Sequence, residues 1–256
     1  MTVKPWLSLL LATQISVAGP MKAASSTPPA ARMSRDNLLQ WRDEGNVVHP
    51  LRTVVEWQKR RAEILKGMQS VMGALPGAGK RCALDVKIDE EVDCGAYVRR
   101  LITYQAEPNG RAIAYLCIPK EVLGTSVPCP GVLCLHGTND KIGHGSVIEG
   151  ISETVNRQYA TELARRGYVT VAPNYPHLAN YRPDLKALGY ESGTMKAIWD
   201  NMRALDLLDT LPFVRHGKYG AIGHSLGGHN AVYTAVFDER IAAVVSSCGL
   251  DSYLDY

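Results

Sequence analysis

The feature that most constrains this chain is Gly223-His224-Ser225-Leu226-Gly227, followed by Gly228 and set between two stretches of different period. Residues 218–222 form a short apolar run of strand type. Residues 226–236 carry Ala231, Val232, Ala235 and Val236 at helical spacing, the stripe of a helix packed on a sheet. A G-x-S-x-G run at a strand-to-helix junction reads as a nucleophile elbow. Small residues two positions either side of the serine let the backbone bend sharply without a clash. The bare pattern is weak, since chance matches number on the order of 0.1 per chain of this length. The strand before it and the helix after it give it weight. The competing reading is a glycine-rich βα turn that only packs.

A second piece lies upstream, where the buried-type run 130–135 ends in His136-Gly137-Thr138. Acyl transfer by a serine needs a backbone N–H from such a strand-end loop, together with the N–H that follows the nucleophile, here that of Leu226. Losing one such donor typically costs roughly 2.7 to 4 kcal/mol of transition-state stabilisation. The side chain of His136 is read as structural, holding the loop, and the function is assigned to the backbone beyond it.

The order of elements is that of an α/β chain. Thr53-Val54-Val55-Glu56 has the capping-box pattern. Val54, Trp57, Ile64, Leu65, Met68 and Met72 recur at helical spacing, which predicts a helix over 53–72 packed outside the sheet. Alternating runs at 97–105 and 111–118, separated by a turn containing Asn109-Gly110, predict an antiparallel hairpin that opens the sheet. A strand at 131–136, a helix at 154–166 stopped by Gly167, and a strand at 168–172 follow. Met195, Ile198, Met202, Leu205 and Leu208 mark a further helix closed by Pro212; the elbow and a last strand at 241–247 complete the order. Strands alternating with helices predict right-handed crossovers and a mostly parallel, doubly wound sheet. Ligands of such sheets bind at the carboxyl ends of the strands, where Ser225, the 136–138 loop and the loop 174–190 would converge. That loop, with Tyr175, His177, Tyr181 and Tyr190, is either a wall of the substrate pocket or an ordinary surface excursion.

The blocks RRLITYQAEPNGRAIAYLCIPK, PGVLCLHGTND, RGYVTVAPNYP and KYGAIGHSLGGHNAV resemble the α/β-hydrolase superfamily, in its acetyl-xylan-esterase and dienelactone-hydrolase-like branch, over about residues 95 to 250. The resemblance implies a three-layer αβα fold with an N-terminal helix and antiparallel hairpin. It implies Ser225 as nucleophile, the backbone N–H groups of Thr138 and Leu226 as oxyanion donors, and Gly223, Gly227, His136 and Gly137 as structural motif positions. The implied reaction is hydrolysis of an ester, often a carbohydrate acyl ester. Likeness of fold supports reaction type better than substrate.

With 256 residues, 46% hydrophobic and 21% charged, the chain is long enough for one enzyme-sized domain. A net charge of +3 with no basic run interleaved with aromatics argues against nucleic acid; Lys59, Arg60 and Arg61 are read as the solvated face of a helix. No cysteine or histidine spacing points to a metal, and no cofactor is expected. Residues 74–81 imitate a phosphate loop, but Arg81 stands where Ser or Thr is required and a helix precedes it. Residues 1–24 have the form of a signal peptide, with a charge before an apolar stretch at 6–17 and small residues at Ser16, Ala18 and Gly19, so a secreted or periplasmic location is expected. The apolar stretch is too short for a permanent membrane span. Residues 25–52 read as tether and N-terminal extension, and 53–256 as the hydrolase domain. Cys117, Cys134 and Cys248 lie in apolar runs and are expected to be packing residues, while Cys82 and Cys94 flank a segment that a disulfide could close.

The partners of the serine are harder to place. In this fold the acid and the histidine follow the nucleophile, yet 31 residues follow Ser225. Asp251 is the one acid placed just past a strand, although a turn or cap role fits it as well. His229 lies one helical turn along from Ser225, His224 should point away from the pocket, and His144 and His177 sit in loops. The chain is therefore expected to be truncated before its triad histidine and to lack its last strands. On that expectation it is nearly inactive alone, and 241–247 is an uncovered edge prone to self-association. Two alternatives from other classes are a non-catalytic hydrolase-like binding protein and a prolyl-oligopeptidase-like peptidase.

Overall fold

The computed structural model describes residues 33, 36–125 and 127–251, in two compact units divided after Arg60. The expected signal peptide at 1–24 lies outside the described residues. In the first unit β1 (Gln40–Arg42) pairs antiparallel with β2 (Val48–Pro50). Helix α1 (Val54–Met72) starts at the expected capping box. Glu56 Oε2 accepts from Thr53 N at 2.8 Å, and Thr53 Oγ1 accepts from Glu56 N at 3.2 Å. Two otherwise orphaned donors of the first turn are thereby satisfied.

In the second unit seven strands form one sheet. They are β3 (Lys87–Asp93), β4 (Tyr97–Glu107), β5 (Gly110–Pro119), β6 (Cys129–Leu135), β7 (Val169–Pro173), β8 (Val214–His224) and β9 (Ile241–Ser247), in the spatial order β3-β4-β5-β7-β6-β8-β9. The β4–β5 turn is the expected hairpin, with Asn109 at φ 63° in the left-handed region that Asn tolerates. β7, β6, β8 and β9 are mutually parallel, and β4 runs the same way because it is antiparallel to β5, itself antiparallel to β7. The sheet is thus mixed and mostly parallel.

Alternation along the central strands divides the core. Leu133 and Leu135 of β6 face one cluster, with Ile198 and Leu205 of α3 (Gly193–Leu208) and Ala231 of α4 (Leu226–Phe237). Val132 and Cys134 face the other, with Ala160 and Ala164 of α2 (Tyr159–Ala164). Two helical layers therefore sandwich the sheet, the three-layer α/β arrangement expected.

Two expectations need correction, the 154–166 helix and the Cys82–Cys94 disulfide, while the edge position of the last strand is as expected. The helix expected at 154–166 occupies only Tyr159–Ala164. Asn156 adopts φ 69°, and Ser152 Oγ and O accept from Thr154 N and Gln158 Nε2, so turn hydrogen bonds displace helical ones. The strand Ile241–Ser247, apolar enough for a sheet interior, lies at the edge with Val244 and Val245 39% and 55% exposed. All six cysteines are free, Cys82 and Cys94 included.

The loop 174–190 is tied down by a buried ionic cluster. Lys196 of α3, fully buried, lies 2.5 Å from Asp200 Oδ1 and 2.9 Å from Glu107 Oε1 at the end of β4. Tyr181 donates to Asp200 Oδ2 at 2.8 Å and Tyr190 to Glu107 Oε2 at 3.0 Å, and Lys80 reaches the same carboxylate at 2.7 Å. Burial without neutralisation would be costly for each charge, so the pairing is what permits it.

Candidate active site

Strand β8 delivers Ser225 into a sharp turn at φ 54°, ψ −122°, a conformation that costs a non-glycine residue on the order of 1–3 kcal/mol. The turn is held from both sides. Ser225 N donates to Ser247 O at the end of β9 at 2.8 Å, and Ser225 O accepts from His229 N at 3.0 Å as α4 begins. The two motif glycines permit the bend. A Cβ on Gly223 would stand 2.1 Å from Gly227 O, and one on Gly227 would stand 1.9 Å from Leu135 O. No larger residue fits either position without moving backbone.

The loop after β6 runs beside this turn, because Leu135 pairs with Gly223 across the parallel β6–β8 ladder. A Cβ on Gly137 would lie 3.3 Å from His224 O and 3.8 Å from Ser225 Cβ. Among the described residues the N–H groups of Thr138 and Leu226 donate to no protein acceptor. His136 is fully buried, donates from Nδ1 to Gly137 O at 2.7 Å, and stacks on Tyr175 with ring centroids 4.1 Å apart. Burial lowers its pKa to about 3, so the ring is neutral.

A cleft of about 450 Å³ brings together Ser225, Leu226, His229, Cys248 and Asp251. Thr138 and Gly137 line instead a neighbouring cavity of about 50 Å³, shared with His224, whose Nδ1 lies 3.0 Å from Ser247 Oγ. His229 is half-buried with its ring edge-on to Tyr233 at 3.9 Å, and burial lowers its pKa. His144 is buried away from the cleft. Its Nδ1 donates to Ala172 O at 3.0 Å, its ring lies 4.5 Å from Tyr115, and burial brings its pKa to about 4. His177 is exposed and lines neither cavity. No described side chain hydrogen-bonds the Ser225 hydroxyl.

Cys248 corrects its expected packing role: it is exposed at φ 48° and lines the Ser225 cleft. The last β8–β9 pair is His224 with Ser247, so at Cys248 the chain has already left the sheet. A feature the sequence did not announce is a recess of about 260 Å³ on the other side of Leu226, walled by Tyr175, Pro176, Leu178, Ala197 and Asn230. The one sequence signal near it is the amide of Asn230, beside Ala231 on the core-facing side of α4. The loop 174–190 is therefore a wall of a cavity next to the elbow. The larger cavity of about 640 Å³, at the β4–β5 turn with Lys80, Arg111 and Arg182, includes neither Ser225 nor Leu226. Among the described residues no cluster of three metal-ligating side chains occurs, and no helix is long and apolar enough to cross a membrane.

The Dienelactone hydrolase family profile matches residues 114–254. The Bacillus subtilis (strain 168) protein named "Putative hydrolase YtaP" is 28% identical over 198 residues, covering 73% of this chain and 64% of that protein. Among solved structures, a glucuronoyl esterase from Solibacter usitatus superposes with a TM-score of 0.61 at 17% identity, over 86% of this chain and 66% of that one. An acetyl xylan esterase from Paenibacillus sp. R4 superposes at 0.51 and 15% identity, over 72% and 56%. These structural likenesses speak for the fold, and the chain spans less than two thirds of the length of each relative. Since the profile takes in more than half of the residues, with both the 136–138 loop and the elbow inside it, the chain belongs to the dienelactone hydrolase family.

Proposed function

We propose that this chain carries the nucleophile and oxyanion elements of a serine esterase acting on carboxylic esters of the acyl-carbohydrate type. The observation that carries the reading is the backbone of Ser225, strained at φ 54° and ψ −122° and enclosed by glycine backbones that tolerate no Cβ. Strain of this kind persists only where the surroundings enforce it, and here it lifts one hydroxyl into a cleft. Family membership supports the reaction class. The carbohydrate ester is supported by the solved neighbours, one a glucuronoyl esterase and the other an acetyl xylan esterase.

In the proposed reaction Ser225 Oγ bonds to the ester carbonyl carbon and gives its proton to a general base. The carbonyl π pair moves to oxygen, where the N–H groups of Leu226 and Thr138 receive the developing charge. Each such donor contributes roughly 2.7–4 kcal/mol. Collapse expels the alcohol oxygen, which takes a proton, and leaves an acyl ester on Ser225; water then repeats the sequence and releases the carboxylate. Asp251, on the same cleft, is the candidate acid. No base is assigned among the described residues. Export through residues 1–24 and pairing of two copies along the β9 edge belong to the same reading.

A fluorophosphonate probe tests it. With imidazole added as an external general base, the wild-type chain is expected to form an adduct mapped to Ser225 by mass spectrometry and to hydrolyse p-nitrophenyl acetate faster than Ser225→Ala under the same conditions. Equal rates for the two proteins, with no adduct at Ser225, would overturn the assignment.

A further inference from the structure

We infer that Tyr159, the first residue of α2, is a positioning residue for the oxyanion loop, holding the N–H of Thr138 at its working distance from Ser225. The inference rests on the esterase reading and adds a residue that belongs to neither sequence motif.

The Tyr159 hydroxyl donates to Leu135 O, the carbonyl from which the 136–138 loop departs. The backbone N–H of His224, one residue ahead of the nucleophile, is turned toward the same phenol oxygen. One hydroxyl therefore reaches the ends of both strands that build the site, at their last ladder pair, Leu135 with Gly223. Burial raises the phenol above its ordinary range, so its proton stays in place for the carbonyl. The ring also lines the cavity of about 50 Å³ that Gly137 and Thr138 share with His224.

The Leu135 carbonyl is gripped from both faces of the sheet, because α4 packs on one face and α2 on the other. On the α4 side a Cβ on Gly227 would stand 1.9 Å from Leu135 O and 2.8 Å from His136 O, so the bare Cα of Gly227 is already in contact there. This stretch of β6 cannot approach α4 without a backbone clash. On the α2 side the hydroxyl opposes the reverse movement, and among the described residues Tyr159 is the one side chain that hydrogen-bonds this carbonyl.

The tyrosine is itself anchored. Its ring packs against the cluster of Val132 and Cys134, and the next residue of α2, Ala160, accepts through its carbonyl from Thr170 Oγ1 of β7 at 3.0 Å. A contact wall on one side and an anchored hydrogen bond on the other set a distance. Charge stabilisation needs such a setting, since oxyanion donors act at about 2.7–3.1 Å and a misplacement of about 1 Å costs on the order of a hundredfold.

Tyr159→Phe, which removes one oxygen and keeps the ring, tests the inference on the full chain with imidazole as external base. p-Nitrophenyl acetate is compared with its thiono analogue, whose sulfur accepts hydrogen bonds weakly. In the variant kcat on the oxygen ester is expected to fall about tenfold or more with KM within about twofold, while the thiono rate changes by less than about twofold. The preference for oxygen over sulfur thereby collapses. 4-Aminophenylalanine at position 159, which keeps a donor, is expected to restore it. Should Tyr159→Phe fail to fold by circular dichroism, 4-fluorophenylalanine takes its place, filling the space of the hydroxyl without donating. Equal losses on the two esters, the mark of a role in stability alone, would overturn the inference. So would an unchanged preference in a folded variant, or a collapsed one with 4-aminophenylalanine. A wild-type chain without the adduct at Ser225 counts against the nucleophile, whereas an adduct with an unmoved preference counts against Tyr159.

Discussion

Gly227→Ala and Gly67→Ala are the same chemical change with opposite expected signs. At Gly227 a Cβ would lie 1.9 Å from Leu135 O, 2.6 Å from Leu135 C and 2.8 Å from His136 O, all backbone atoms. Relief requires about 1 Å of backbone movement, and Leu135 O is already the acceptor of the Tyr159 hydroxyl, so that hydrogen bond is lost in the shift. Overpacking costs about 1–3 kcal/mol and the lost bond about 1 kcal/mol, for a total of about 2–4 kcal/mol. At about 2–4 °C per kcal/mol for a chain of this size, the melting temperature should fall by roughly 5–15 °C. At Gly67, inside α1, nothing lies within 4 Å of a built Cβ. There the gain in helix propensity, about 0.5–1 kcal/mol, should raise the midpoint by roughly 1–4 °C. Differential scanning calorimetry of the two variants against wild type reads both signs. A Gly227→Ala protein melting within about 2 °C of wild type, or a Gly67→Ala protein falling as far as Gly227→Ala, would refute the steric account of the elbow.

Other perturbations follow from buried groups. Lys196→Met leaves Glu107 and Asp200 without their central cation and should cost about 3–5 kcal/mol in urea unfolding; a loss under about 1 kcal/mol would contradict the cluster. His136 and His144 are held by burial at about 3 and about 4, below the free imidazole value near 6.5. Unfolding lets both take up protons, so their stabilisation is complete above about pH 6.5 and lost as pH falls through the window down to 3–4. Urea midpoints between pH 7 and pH 4.5 should drop, with each ring contributing up to about 1.4 kcal/mol per pH unit, and a flat profile would refute the neutral-ring assignment. Burial raises the Cys117 thiol to about 12 and the Cys134 thiol well above its ordinary range, whereas Cys248 is exposed. Iodoacetamide on the native protein should therefore alkylate Cys248 before either, and peptide mapping showing Cys117 or Cys134 modified first would contradict that order.

The parts of the fold legible in the sequence are those set by local chemistry. The capping box at Thr53, the Asn109-Gly110 turn, the strand Ile241–Ser247 and the elbow each depend on residues a few positions apart, and each forms where its spacing predicts. The helix expected at 154–166 failed because apolar periodicity says nothing of Ser152 and Asn156, whose turn hydrogen bonds compete with the helix. Cys248 failed because an apolar run does not mark where its last ladder pair falls. Long-range placements were hidden altogether. Lys196 and Glu107 are 89 positions apart, and nothing near either in sequence announces that each is buried against the other. The recess beside Leu226 is assembled from a loop, α3 and α4, and exists only once all three have docked.

The parallel pairing of β6 with β8, Gly131 to Tyr219 through Leu135 to Gly223, acts as a ruler for the reaction centre. One residue of slip along it is about 3.3 Å, enough to carry Ser225 out of reach of Gly137, and it would also turn Leu135 from one core to the other. Accuracy at the serine is thus calibrated at the opposite end of the strands. There a Cβ on Gly131 would press within 3.1 Å of Tyr219, Leu208 and Val214, so a single methyl far from the cleft would be read out as a misplaced nucleophile.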